Sequence, residues 1–240
     1  MVIVQHYPGT VNQYVTATAT SLAHVNLAIP DHCPHPECQA VHSLIRWGSY
    51  RRCALTLEHM HQLTLQRLRC KVCGRTHSLL PDFLHPYRHY VIDLLHTVVS
   101  FYLIAGLGLC RLMKRLSHLG PARSTVREWI ASFAYGAGEL LLDRLLRHLL
   151  ALDPALVLPD SPPEHLRRVS DPLKRRRLQR AHTCWLLAER LYALAKNRLP
   201  QLHFTAGQLF PFLLHWLQSQ ALPPRLLWSL RLPHTPRVPF

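Results

Sequence analysis

The sequence predicts an α+β protein in which the strands precede the helices, and two observations lead to this class. Two close pairs of cysteines, Cys33 with Cys38 and Cys70 with Cys73, flank segments in which apolar and polar residues alternate. After residue 88, leucine-rich segments place apolar residues at the three- and four-residue spacing of helices instead. We therefore expect a small antiparallel module followed by a mainly α-helical region.

The cysteine pairs predict a structural metal site. Zn²⁺ takes four soft ligands in a tetrahedron, and two short cysteine loops that face each other supply them. Gly74, directly after the second pair, can adopt the positive φ that turns backbone amides toward a sulfur. The predicted zinc ligands are Cys33, Cys38, Cys70 and Cys73. This arrangement predicts a zinc ribbon over residues 31–80, and a histidine, His32, His35 or His77, could displace one cysteine.

Three strands are expected in the ribbon. They are Val41–Arg52 with a kink or bulge at Gly48-Ser49, a segment from about Leu63 to Arg69, and His77–Leu80. The sequence His59-Met60-His61 is expected in a solvated loop. Residues 1–30 are poor in charge and rich in Val, Thr and Ala, which is compatible with a strand or a short helix that packs on the ribbon.

The region after the ribbon predicts a set of helices. A proline-punctuated linker, Pro81–Tyr90, leads to a helix over about His89–Ile104, a break at Ala105–Gly108, and a second helix at Leu109–Leu116. A third helix is expected to begin at Ser124 or Thr125 and to run to about Ala134. Thr125 as the N-cap would form a capping box with Glu128. Its apolar residues at helical spacing predict a buried stripe of Val126, Trp129, Ile130 and Phe133.

These motifs resemble the zinc-ribbon region of insertion-sequence transposases and of small transposon-associated proteins that carry a ribbon followed by a helix-turn-helix. The resemblance is best over residues 31–135. It rests on the first cysteine pair followed by Ile45-Arg46-Trp47-Gly48-Ser49-Tyr50-Arg51-Arg52, on the segment Arg67–Pro81 that contains the knuckle, and on Arg123–Ile130. It implies a helix-turn-helix within residues 88–135 that binds double-stranded DNA.

The residues of the third helix support the same interpretation. A helix, a turn and a second helix with a polar, basic first turn is the recognition-helix arrangement, and that first turn enters the major groove. The predicted DNA contacts are Arg123, Ser124, Thr125 and Arg127. A plain helical bundle with a solvated arginine edge is the alternative.

The C-terminal half predicts a helical and basic region over residues 139–220. Helices are expected at Leu140–Leu150, His182–Leu199 and Phe204–Gln220, with a proline-rich connector over residues 154–163. A cationic run within Glu164–Arg180 is expected to contact phosphates, or else to form a solvated helix face. The residues of that run are Lys174, Arg175, Arg176 and Arg177. Residues 221–240 are expected to form a proline-rich tail.

The composition favours a polyanionic partner. The chain has 28 Lys and Arg residues against 13 Asp and Glu residues, which gives a formal charge of +15. Nucleic acid is the first expectation and an acidic membrane surface the second.

The remaining cysteines, Cys53, Cys110 and Cys184, are scattered, which indicates a reducing cytoplasm rather than a disulfide framework. Met1–Thr10 lacks the pattern of a signal peptide.

One uncharged stretch, Leu94–Cys110, raises a membrane alternative. It contains His96, Thr97 and Ser100 and two glycines near its end, and a spanning helix needs about 20 apolar residues. We expect a buried core helix followed by a turn.

No catalytic centre is expected. A metal-dependent transposase needs three carboxylates on a strand-rich fold, but the aspartates of the C-terminal half lie near predicted loops or basic runs. These aspartates are Asp143, Asp153, Asp160 and Asp171. The sequence therefore predicts a non-catalytic, nucleoid-associated DNA-binding protein, either a mobile-element accessory protein or a transcriptional regulator. Its partners would be duplex DNA and a transposase or a second copy of the chain. A divergent or truncated transposase that cleaves DNA and a basic membrane-associated protein are the alternatives.

Overall fold

The computed structural model describes residues 2–20, 25, 27–86, 88–116, 120–157, 161–198, 209–220 and 222. It confirms the predicted α+β class, with one four-stranded sheet and a set of helices. The described chain divides into two compact units. The first contains residues 2–94 and Gly120, and the second contains residues 95–116 and those from Pro121 onward. Apart from Leu222, the predicted proline-rich tail lies outside the described residues.

The sheet of the first unit is mixed rather than purely antiparallel. Its strands are β1 (Val2–Gln5), β2 (Leu44–Leu55), β3 (Met60–Cys70) and β4 (Thr76–Pro81), in the order β1-β4-β3-β2. The β2–β3 and β3–β4 pairs are antiparallel, as predicted. The parallel pairing of β1 with β4 was not predicted. The N-terminal segment, expected as a strand or a helix, forms both, because α1 (Val11–Thr20) follows β1.

The β2–β3 hairpin is longer than the sequence pattern indicated. Its register shifts between Arg46 and Gly48, which confirms the expected bulge. The expectation of a solvated loop at residues 59–61 is wrong for Met60 and His61, which pair with Leu55 and Ala54 in the ladder. The turn between the strands is shorter than the sequence predicted. The Thr56 hydroxyl accepts hydrogen bonds from the Glu58 and His59 amides, which closes the hairpin within four residues.

The first unit buries an aromatic cluster against its sheet. Tyr14 of α1 is fully buried, and its ring packs edge-to-face on Tyr7 at 5.2 Å and on Phe83 at 5.5 Å. Its hydroxyl donates to the Thr64 carbonyl of β3 at 3.2 Å. Phe83 is buried, although it lies in the segment Pro81–Tyr90 that was expected to be a linker. The segment is also bonded to the sheet, because the Leu55 amide of β2 donates to the His89 carbonyl.

The second unit is helical. The helices from the unit boundary onward are α2 (Ile92–Leu103), α3 (Leu109–Arg115), α4 (Arg123–Ser132), α5 (Gly138–Leu152), α6 (Glu164–Arg167), α7 (Pro172–Arg198) and α8 (Leu209–Ser219). A π-helical turn, Phe133–Ala137, joins α4 to α5. The predicted break after α2 is confirmed: Gly106 has a φ of 65°, and a Cβ there would lie 2.9 Å from the His165 ring.

The start of α4 corrects the predicted cap. The helix begins at Arg123 with Ala122 as the N-cap residue, and no side chain caps it. The expectation that Ser124 or Thr125 caps the helix is therefore wrong, because the extended backbone of Ala122 places both residues inside the first turn. The predicted stripe is confirmed: Val126, Trp129 and Phe133 are fully buried and Ile130 is nearly so.

The core of the second unit is aromatic. Phe133 stacks on Phe210 of α8 with ring centroids 5.8 Å apart, and Trp185 of α7 lies 5.4 Å from the same ring. The cationic run and the leucine-rich segment after it form one continuous helix, α7, rather than two.

The stretch considered as a membrane alternative is not one helix, since α2 ends at Leu103. Within the part of the chain that the structure describes, no helix combines the length and the apolar character that crossing a membrane requires.

Candidate metal centre and basic surfaces

The two cysteine loops are shaped by backbone hydrogen bonds. Cys70 ends β3, and the knuckle closes when the Gly74 amide donates to the Cys70 carbonyl at 3.0 Å. Gly74 has a φ of 69°, the conformation that the sequence predicted for it. In the first loop the Cys33 amide donates to the Ala40 carbonyl at 3.0 Å. The Lys71 amide donates to the Ser43 carbonyl at 2.9 Å, and this bond joins the two loops.

The four predicted ligands come together. The Sγ atoms of Cys33, Cys38, Cys70 and Cys73 all lie within 4.8 Å of one another. Two of the separations are 3.8 Å, Cys33 to Cys73, and 3.7 Å, Cys38 to Cys70. A tetrahedron with metal–sulfur bonds of about 2.3 Å has edges of about 3.8 Å. A disulfide would need about 2.05 Å between the sulfurs, so the cluster has the spacing of a metal site and not that of two disulfides.

One side chain near the cluster was not predicted from the sequence. The Ser43 hydroxyl, which is buried, lies 3.3 Å from Cys70 Sγ. Together with the Cys73 amide, which donates to the same sulfur at 3.5 Å, it lowers the pKa of the Cys70 thiol to about 6. Burial has the opposite effect on Cys33 and raises the pKa of its thiol to about 12. The spacing of the cysteines does not indicate that Ser43 lies beside the cluster.

The histidine alternatives are placed beside the cluster rather than in it. The cluster that the described residues form contains the four cysteines and no histidine. His77 is buried, and its Nε2 lies 3.6 Å from Cys33 Sγ, where it can donate to a thiolate. His35 is also buried, and His32 is exposed. Lys71 and Arg75 are exposed on the knuckle, where their charges offset those of four thiolates.

The predicted DNA contacts of α4 are accessible. Arg123, Ser124 and Arg127 are exposed and Thr125 is half-buried. They lie in the first five residues of the helix, at positions outside the buried stripe of Val126, Trp129 and Ile130. Among the described residues, no carboxylate forms an ion pair with Arg123 or Arg127. The geometry leaves both guanidinium groups open to an anionic partner.

The cationic run lies in the first turns of α7, where its four members differ in exposure. Lys174 and Arg176 are exposed, whereas Arg175 and Arg177 are half-buried. The Arg177 guanidinium stacks over the Tyr135 ring at 4.7 Å, so the ring covers one face of that guanidinium. Asp171 caps this helix, because its Oδ1 accepts hydrogen bonds from the Leu173 and Lys174 amides at 2.9 and 3.1 Å. An Asp followed by a Pro at the first helical position is a sequence signal for such a cap, and it was not used to predict the start of α7.

Two exposed arginines of the second unit are neutralised by ion pairs within their own helical segments. Arg147 pairs with Asp143 at 2.5 Å, and Arg168 pairs with Glu164, each one helical turn apart. Of the remaining aspartates, Asp153 pairs with Arg190 at 3.6 Å, and Asp160 lies outside the described residues.

The comparison with known proteins adds one match. A family model described as "Domain of unknown function (DUF6431)" matches residues 33–104. The matched segment begins at the first cysteine of the cluster, contains all four, and ends just after α2. No curated protein and no solved structure matches the chain.

Proposed function

We propose that the chain is a zinc-dependent, non-catalytic DNA-binding protein that acts as a mobile-element accessory protein or a transcriptional regulator. The metal is assigned as zinc from the chemistry of the ligands. Four thiolates with tetrahedral spacing leave no open coordination position, which is the pattern of a structural Zn²⁺ site rather than a catalytic one. The ion would hold the first unit together as a zinc ribbon, with Cys33, Cys38, Cys70 and Cys73 as ligands.

The proposal for DNA rests on one observation, the exposed basic first turn of α4. Arg123 and Arg127 are exposed beside the buried stripe, and no described carboxylate neutralises them. An arginine in this position of a recognition helix can reach guanine O6 and N7 in the major groove. We assign α3 and α4 as the helix-turn-helix on this basis.

The first turns of α7 support the same proposal. Lys174 and Arg176 are exposed in a run that contains no acid, and the chain carries a formal charge of +15. Cations of this kind contact phosphates regardless of sequence and account for affinity, whereas α4 would account for specificity.

The test is selection of bound duplexes from a random DNA pool by the zinc-loaded chain at moderate salt. A reproducible enriched motif is expected, and chelation of the metal is expected to reduce recovery. No retention of any duplex even at low ionic strength would contradict the proposal. Mg²⁺-dependent cutting of the selected duplex would contradict its non-catalytic part.

A further inference from the structure

The β2–β3 hairpin carries a second cationic surface, in the first unit and distinct from α4. The two strands contain five arginines and neither contains Asp or Glu. Those arginines are Arg46, Arg51, Arg52, Arg67 and Arg69. Among the described residues, none of the five forms an ion pair with a carboxylate. By the strand register, Arg52, Arg67 and Arg69 lie on one face of the hairpin and Arg46 and Arg51 on the other. The face with Arg52, Arg67 and Arg69 is complementary to a polyanion.

Aromatic side chains alternate with these cations. The Arg69 guanidinium lies over the Trp47 ring at 4.4 Å, and the Arg67 guanidinium lies over the Tyr50 ring at 4.9 Å. Trp47 sits at the bulge between Arg46 and Gly48, where two residues of β2 oppose one of β3, and it is 54% exposed. The register shift therefore presents an indole ring to solvent beside the Arg69 guanidinium.

An open cleft adjoins this surface at Tyr50. Its volume is about 520 Å³, and Tyr50, Arg51, Arg52, Arg88 and His89 are among its lining residues. The Arg52 guanidinium donates to the carbonyls of His85 and Arg88, which fixes it in the wall of the cleft. Arg51 is exposed at the rim. The cleft thus provides a cationic binding place for an anionic group next to an aromatic ring.

Hairpin stability alone does not account for this combination. Cross-strand stacking of arginine on an aromatic ring stabilises a sheet, and it explains why Arg67 and Arg69 lie where they do. It does not explain an indole left half in solvent. An exposed indole and a half-buried tyrosine ring beside cations that can bind phosphates are the composition of a platform on which unpaired bases stack.

We propose that this face of the β2–β3 hairpin binds a single-stranded polynucleotide. Bases stack on Trp47 and Tyr50, and Arg67, Arg69 and the cleft hold the phosphates. A duplex is not the partner of this surface, because its bases are already stacked on each other and do not present their faces. The proposal does not rest on duplex binding by α4.

The test is fluorescence anisotropy of the full zinc-loaded chain with three short labelled strands of equal length and charge: oligothymidylate, oligouridylate and an abasic strand. Oligothymidylate or oligouridylate is expected to bind about 5- to 100-fold more tightly than the abasic strand, because only the base-bearing strands can stack. Equal affinity for all three would overturn the proposal. Tighter binding of either base-bearing strand than of the abasic strand supports it.

Variants locate the interaction. Trp47→Leu is expected to reduce affinity for the base-bearing strand to nearly that for the abasic strand, and Trp47→Phe to restore part of it. Met60→Ala is the matched control, because Met60 is 67% exposed on the same hairpin and has no aromatic ring. Unchanged binding by Trp47→Leu with full metal content would overturn the proposal.

The result for single-strand binding by the hairpin can be distinguished from the result for duplex binding by α4. Arg127→Ala, which tests α4, is expected to leave single-strand affinity unchanged, and Trp47→Leu is expected to leave duplex affinity unchanged. If the three strands bind equally while duplex selection succeeds, the hairpin surface is refuted and α4 is not. The reverse result refutes the duplex proposal alone.

Discussion

The Ser43 hydroxyl lies 3.3 Å from the sulfur of Cys70, although 27 residues separate them in the chain. The contact exists because the Lys71 amide donates to the Ser43 carbonyl, which places the first loop beside the knuckle. The same hydroxyl donates to the Ala40 carbonyl at 2.9 Å, and its single proton can turn to the sulfur when Cys70 is a thiolate, the form that binds a metal ion. Side chains at this distance from a metal orient and tune its ligands.

We predict that Ser43→Ala weakens metal binding by about 10- to 100-fold, because Cys70 loses a donor to its thiolate. Competition with a chromophoric zinc chelator measures the change. Ser49→Ala is the control, since Ser49 is exposed on β2. Equal affinity of the Ser43 variant and the parent chain would show that the contact has no role in binding.

We predict that Cys70→Ser and Cys38→Ser lose the metal and destabilise the first unit by more than about 4 kcal/mol, as loss of a structural ion does. Metal content and hydrogen exchange of the full chain measure the two effects. Exchange should accelerate in β2, β3 and β4 and not in α5 or α7. Cys110→Ser is the control, because Cys110 is exposed and outside the cluster. A metal-free chain with unchanged exchange in the strands would contradict the prediction.

We predict that Arg127→Ala reduces affinity for a selected duplex by about 1–3 kcal/mol and relaxes the preference at one base position. Arg147→Ala removes the same charge from an exposed helix position, but Arg147 is already neutralised by Asp143. It should therefore change little. Uniform weakening on all sequences would make Arg127 a phosphate contact instead, and no effect would remove α4 from the interface.

We predict that Lys174→Ala combined with Arg176→Ala lowers the slope of log affinity against log salt by about two, since each residue is expected to neutralise one phosphate. The matched control is Arg147→Ala combined with Arg168→Ala, which removes two ion-paired cations. Binding measured from low to physiological salt gives the slopes. If both double variants change the slope equally, net charge and not the first turns of α7 governs the salt dependence.

We predict a pH-dependent loss of stability from His85, a fully buried side chain of the first unit. Burial, aided by the charges of Arg88 and Arg52, lowers the pKa of its imidazole to about 3. The unfolded chain binds the proton near pH 6.5, so stability is full above that pH and is lost as the pH falls from 6.5 toward 3.

The expected slope from this group is up to about 1.4 kcal/mol per pH unit. Chemical denaturation of the parent chain and of His85→Gln between pH 7 and pH 5 measures it at matched metal content. The variant should have the shallower slope, although it is less stable at pH 7. Parallel slopes would show that another group, such as the thiolates of the cluster, controls the acid response.

Local chemistry made part of this protein predictable. Ligand spacing is a short-range property, so Cys33, Cys38, Cys70 and Cys73 could be identified as a set, and they lie within metal-binding distance. Gly74 has the positive φ expected at its position in the knuckle, and the apolar period predicted the buried side of α4. The α+β class follows from the same periodicities. The helix-turn-helix and the DNA partner stay predictions.

The tertiary structure decided what depends on distant pairing. Val2 pairs with Ser78 in a parallel ladder. The pattern of apolar and polar residues within residues 1–30 could not indicate which strand β1 would pair with. Ser43 and His77 approach the cluster only because the loops dock, and Arg69 stacks on Trp47 only because a bulge shifts the register of β2. Residue type and spacing determine which chemistry the chain can perform. Strand register and loop docking decide which side chains meet, because those free energies come from contacts between residues far apart in sequence.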